Sequence, residues 1–145
     1  MRDASRSEFP HFLSIATRWA DNDAYRHVNN VVYYSWFDTA VNEYLIRRGV
    51  LDIVGDEAVG LVVDTGCSYF RSVTFPDVVH VGLRVAKLGN SSVRYELAIF
   101  RNDEPKPAAA GHFVHVYVDR ASNRPVAVPA HVRAVLAELV ARIVQ

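Results

Sequence analysis

From Val31 onward, Tyr33, Phe37, Ala40, Val41, Tyr44 and Leu45 recur at spacings of three and four, which predicts a helix with these residues on one face. Val32 and Trp36 fall on other faces, so the helix is expected to be enclosed on most sides. Asn29 or Asn30 can cap its start by accepting from free backbone N–H groups. Arg47, Arg48 and Gly49 suit its end, through the helix dipole and a left-handed cap.

Five other segments read as strands. Phe9–Trp19 alternates imperfectly and follows a short N-terminus expected to be mobile; Ala58–Phe75, Val78–Leu88, Ser92–Arg101 and Ala108–Asp119 come after the helix. In the third, Val79, Val81, Leu83 and Val85 share one face, opposite His80, Gly82, Arg84 and Ala86. In the fourth, Val93, Tyr95, Leu97 and Ile99 repeat the pattern. Phe75-Pro76-Asp77, Leu88-Gly89-Asn90-Ser91 and Asn102–Pro107 are too brief for crossover helices, so an antiparallel meander is expected.

After Arg124-Pro125, the residues Val132, Val135, Leu136, Leu139, Val140 and Ile143 trace a second amphipathic helix, with Pro129 acceptable in its first turn. The order β-α-β-β-β-β-α, without a repeat or linker, predicts one α+β domain over residues 1–145.

Composition narrows the function classes. Half the residues are hydrophobic and 22% are charged, as in a globular protein. Sixteen basic residues balance sixteen acidic ones, so no overall field draws the chain to nucleic acid or to an anionic membrane. Cys67 is the sole cysteine, which excludes an internal disulfide and a multi-cysteine zinc site. No apolar run reaches membrane-spanning length and the first residues lack a secretory pattern, so the cytoplasm is the expected location.

Candidate chemistry gathers in Asp21–Asn30, D-N-D-A-Y-R-H-V-N-N, a polar loop leading into the first helix. A helix N-terminus offers free N–H groups and about half a positive charge, suited to developing negative charge. Asp21, Asp23 and His27 supply candidate bases or nucleophiles beside it. By spacing alone the reading stays open, because Asp and Asn before a helix more often serve as caps and turn formers. His112 and His115, three apart in a strand, point to opposite faces and do not form a metal site.

The run R-W-A-D-N-D-A-Y-R-H-V-N-N-V-V-Y-Y, Arg18–Tyr34, resembles the signature of hotdog-fold thioesterases similar to 4-hydroxybenzoyl-CoA thioesterase. That resemblance implies a hotdog fold: a curved antiparallel sheet wrapped around a central helix, with a C-terminal helix. It implies hydrolysis of acyl-CoA or acyl-carrier-protein thioesters without metal or cofactor, by homodimers or homotetramers with sites at subunit interfaces. Asp23 matches the family's catalytic carboxylate, with Asp21 as its structural neighbour, and His27 occupies the motif's histidine position as an assistant. The oxyanion would meet backbone N–H groups at Asn30, Val31, Val32 and Tyr33.

Arg26 departs from the pattern, since many relatives carry glycine there, so a glycine-only conformation is not expected at that point. For the CoA phosphates, Arg71, Arg84, Lys87, Arg94 and Arg124 form a candidate group of cations. Glu43, far along the helix, is expected to be structural. The same fold could also serve a non-catalytic module that binds or senses acyl-CoA.

Overall fold

The alternation of valine, leucine and isoleucine in the strands buries one face completely. Val79, Val81, Leu83, Val85, Val93, Tyr95, Leu97 and Ile99 are all inaccessible to solvent. The computed structural model describes residues 1–140. Its elements are β1 (His11–Ala16), α1 (Asn30–Arg47), β2 (Ala58–Tyr69), β3 (Val78–Leu88), β4 (Ser92–Arg101), β5 (Ala109–Asp119) and α2 (Ala130–Ala137). Short 3-10 turns at Arg6–Glu8 and Trp19–Asp21 flank β1. Ile143, expected on the second helix, lies outside the described residues.

The five strands form one sheet in the order β1-β3-β4-β5-β2, and every neighbouring pair is antiparallel. Against its buried face lies α1, whose Tyr33, Trp36, Phe37, Ala40, Val41, Tyr44 and Leu45 join the main core. Phe37 is wholly enclosed, and burying a side chain of this size contributes about 1.5–3 kcal/mol. Gly111 permits the closest approach. A Cβ there would collide with the Gly66 carbonyl oxygen and come within 2.6 Å of the Phe37 ring.

Some expectations need correction. The meander holds from β3 to β5, but β2 does not pair with β3: it lies at the far edge, beside β5. The eight residues 70–77 can reach about 26 Å, whereas β2 and β3 sit three strand spacings apart, about 14 Å, so a coil segment suffices for the crossing. The N-terminus is not loose either. Ala4 and Phe9 are buried in a second apolar cluster with Ala98, Phe100 and Ala110 on the outer face of the sheet. Arg6 stacks on Phe100 at 5.0 Å and donates to the Asn102 and Glu104 carbonyls.

As expected, α1 is enclosed on most sides, Trp36 included, and its one open face carries Val31, 63% exposed, with Asp38, Thr39 and Ile46 also accessible. Alongside it runs the edge strand β2, where Leu61, Val62 and Val63 are 46–60% exposed. The second helix ends at Ala137, and Leu139 and Val140 leave it to bond with Val85 of β3.

Candidate active site

The polar loop folds as a miniature hairpin. Asn22 bridges to Val28, the Asp23 N–H donates to the His27 carbonyl at 2.8 Å, and the Arg26 N–H donates to the Asp23 carbonyl at 3.1 Å. The β2–β3 connection fastens it from outside. Val28 donates to the Val73 carbonyl at 2.8 Å, the Thr74 hydroxyl donates to the Arg26 carbonyl at 2.7 Å, and the Phe75 N–H donates to Asn22 Oδ1 at 3.1 Å.

The two aspartates have separate surroundings. Asp21 is 2% exposed, and its carboxylate accepts from the Arg18 backbone N–H at 2.7 Å and from the Arg18 guanidinium at 2.7 and 3.0 Å. Both its oxygens are engaged in closing the turn at Trp19–Asp21. Asp23 is half-buried, and only its Oδ1 is engaged among the described residues, by the Tyr25 N–H at 2.8 Å. Its Oδ2 is left available.

Arg26 overturns the expectation about its backbone. Its φ is +65°, the left-handed conformation that glycine adopts most easily. The bonds from Thr74 and to Asp23 hold an arginine in a glycine-type position, so the loop keeps its path although the residue differs.

At the start of α1, Asn29 is the cap: its Oδ1 accepts from the Val31 N–H at 3.1 Å, and its carbonyl accepts from the Val32 N–H at 3.0 Å. Two of the four expected oxyanion donors are therefore already used. The Asn30 N–H has no acceptor among the described residues. A cavity of about 300 Å³ opens beside it, lined by His27, Asn30, Tyr33, Tyr69, Phe70 and Arg71.

Sequence reasoning missed Tyr69. Its hydroxyl donates to the Asn30 carbonyl at 3.0 Å, and its ring meets Tyr33 edge-on at 4.9 Å. Burial raises the Tyr33 phenol to about 12 and pushes Tyr69 higher still, and it also raises the Cys67 thiol nearby. The Tyr33 and Tyr69 phenols on the cavity wall are therefore neutral at pH 7 and do not oppose negative charge at the Asn30 N–H. No pattern in the strand distinguished Tyr69 from other β2 residues.

Asp23 itself is not on the cavity wall; it sits in the turn just before His27. Of the five cations, only Arg71 lines this cavity, 3.9 Å from Glu104. Arg84 is occupied on the outer face by Glu96 at 2.9 Å and by the Phe9 ring. Arg94 lines a different hollow with Arg2 and His112, Lys87 is exposed on β3, and Arg124 lies in the turn after β5. Glu43 pairs with Arg47 one helical turn away. His112 bonds to Asp64 at 2.9 Å, while His115 is buried against Tyr95 and Phe113.

Residues 17–136 match the family model described as the thioesterase-like superfamily. The crystal structure of the PA5185 protein of Pseudomonas aeruginosa is 58% identical, with a TM-score of 0.91 over 94% of this chain and 96% of that one. A second P. aeruginosa structure, the PA2801 protein, presented there as a candidate thioesterase, is 31% identical, with a TM-score of 0.81 over 87% and 97% of the two chains. The uncharacterized protein YsmA of Bacillus subtilis is 22% identical over 83% of this chain and 81% of its own. The expected hotdog fold is borne out: a curved antiparallel sheet around a long helix, with a C-terminal helix.

Proposed function

The chain belongs to the thioesterase-like superfamily, and from that premise we propose that it hydrolyses an acyl-CoA or acyl-carrier-protein thioester at the start of α1. The observation that carries the reading is the Asn30 N–H, without an acceptor among the described residues, at a helix N-terminus on a residue that lines a cavity beside the motif loop. A thioester oxygen directed there gains a hydrogen bond and the positive end of the dipole as it becomes an oxyanion.

Asp23 supplies the reactive carboxylate, through Oδ2, either activating water or attacking the carbonyl carbon. Its attachment to Tyr25 fixes its direction without using both oxygens. His27 lines the cavity and can hydrogen-bond the substrate carbonyl, while Arg71 is the cation available to the thiol-side portion of the substrate. Tyr69 keeps Asn30 in place from the opposite wall.

The protein acts as a homo-oligomer in this reading. A twelve-residue edge strand with exposed Leu61, Val62 and Val63 beside an open helix face invites a second copy, whose β2 would cover both. Sedimentation at micromolar concentration should give at least twice the monomer mass, and a monomer would count against a shared site.

Incubation with a panel of short, long and aromatic acyl-CoA esters, read by thiol release, tests the activity. Turnover on at least one member is expected. Ligand-dependent stabilisation against heat without thiol release from any member would favour an acyl-CoA binding or sensing module instead.

A further inference from the structure

A second cavity, of about 340 Å³, lies at the opposite end of α1 from the motif loop. Leu45 and Val132 give it apolar surface, and Asp56, Glu57 and His131 also line it. Twelve residues separate Asn30 from Asn42 on its wall, about 18 Å along the helix, so this space is separate from the one beside His27.

Of the side chains on its wall, His115 is the one with a fully enclosed polar atom that has no partner among the described residues. His115 is 5% exposed, its Nε2 is enclosed with no hydrogen bond among the described residues, and its ring is held between Tyr95 and Phe113. Its Nδ1 lies 3.2 Å from where a Cβ on Gly60 would stand, and the Tyr117 ring lies 3.5 Å from the same point. Glycine at position 60 therefore leaves open a space that any other residue would narrow, next to an imidazole nitrogen and a phenol. The enclosed Nε2 is out of a ligand's reach, whereas Nδ1 is the nitrogen beside the Gly60 space and has no hydrogen bond among the described residues, so it can take one from a molecule in the cavity.

We propose that this cavity binds a small uncharged ring compound bearing one hydroxyl, a phenol or cyclic alcohol, with the hydroxyl on His115 and the ring between Leu45 and Val132. A neutral imidazole has one N–H and one lone-pair nitrogen, and a hydroxyl can satisfy whichever faces it, as acceptor or as donor. Burial pushes the His115 imidazole below the ordinary value, and holds the Tyr117 phenol up at about 12, so neither supplies charge at pH 7. The carboxylates of Asp56 and Glu57 disfavour anions, which separates this ligand class from CoA and from free acids.

The test uses the full-length protein and phenol as probe, with benzoate and toluene as controls, followed by amide chemical-shift changes. Phenol is expected to bind saturably and to shift residues around Gly60, His115 and Val132 while leaving Asn30 and Tyr69 unmoved. Toluene should bind at least about fivefold more weakly, the loss expected for one missing hydrogen bond, and benzoate at least as weakly because the Asp56 and Glu57 carboxylates repel its charge. Gly60→Val should remove binding by filling the space, and His115→Phe, which keeps the ring volume, should weaken it to the level of toluene. Shifts centred on Asn30, equal binding of phenol to Gly60→Val, or benzoate binding as tightly as phenol would each overturn the assignment. None of these readouts depends on thioester hydrolysis.

Discussion

Asp21 and Asp23 look interchangeable in a string of letters, yet their surroundings differ. Asp21 is enclosed, with three hydrogen bonds from Arg18, and Asp23 keeps one oxygen free. The motif therefore combines an acid bound on both oxygens by Arg18 with one whose Oδ2 is free, a difference in line with the separate roles that the resemblance implied for them. Arg26 makes a sharper prediction. A non-glycine residue at φ +65° carries about 1–2 kcal/mol of steric cost. Arg26→Gly should remove it, at some gain in unfolded-state entropy, and raise stability by up to about 1 kcal/mol. Thermal melting checks this, and a lower melting temperature would mean that the arginine side chain compensates for its backbone.

At the scale of elements, the start of α1 depends on a crossing that hydrophobic periodicity cannot reveal. Alternation located the buried faces of β3 and β4 correctly, because burial of one face leaves a period of two in the letters. It carried no information about which strand lies beside which. The Phe75-Pro76-Asp77 turn read as a hairpin, while residues 70–77 in fact cross to the other side of the sheet and bring Val73 and Thr74 against the motif loop. For the same reason Tyr69 escaped notice, since its role depends on meeting Asn30, which is remote in sequence.

The crossing also fastens the loop, and Thr74 is its main fastening. Thr74→Val should leave the Arg26 carbonyl without its partner and lower stability by about 1 kcal/mol. Turnover on an accepted acyl-CoA should fall with it, because Asp23 and His27 sit on the loosened segment, and Thr74→Ser should restore both. A loss of stability with unchanged turnover would mean that the loop holds its shape without this bond.

Across the whole molecule, two histidines tie folding to pH. Burial pushes the imidazoles of both His11 and His115 below the ordinary value of 6.5. The unfolded chain then takes up protons that the folded protein refuses, so stability is complete above about pH 6.5 and declines as pH falls below it. Melting temperature should therefore drop between pH 7 and pH 5, and His115→Phe should flatten the drop. An unchanged slope in that variant would locate the effect elsewhere.

The molecule as a whole was also the scale at which the letters said most about function. A seventeen-residue motif with matching helix and strand patterns was enough to indicate the fold, and a family match over residues 17–136 agrees with it. The cations intended for CoA were less legible. Charge on a strand says only that a residue can face solvent, and Arg84 turned out to be neutralised by Glu96 while Arg71 alone reached the cavity.

The central claim is that Asp23 acts on a thioester whose oxygen lies at the Asn30 N–H. Measuring kcat of Asp23→Asn on whichever acyl-CoA the wild type hydrolyses best tests it most directly, with the melting temperature as a control for folding. A fall of roughly two to four orders of magnitude in a fully folded protein is the predicted result; turnover equal to the wild type would contradict the assignment.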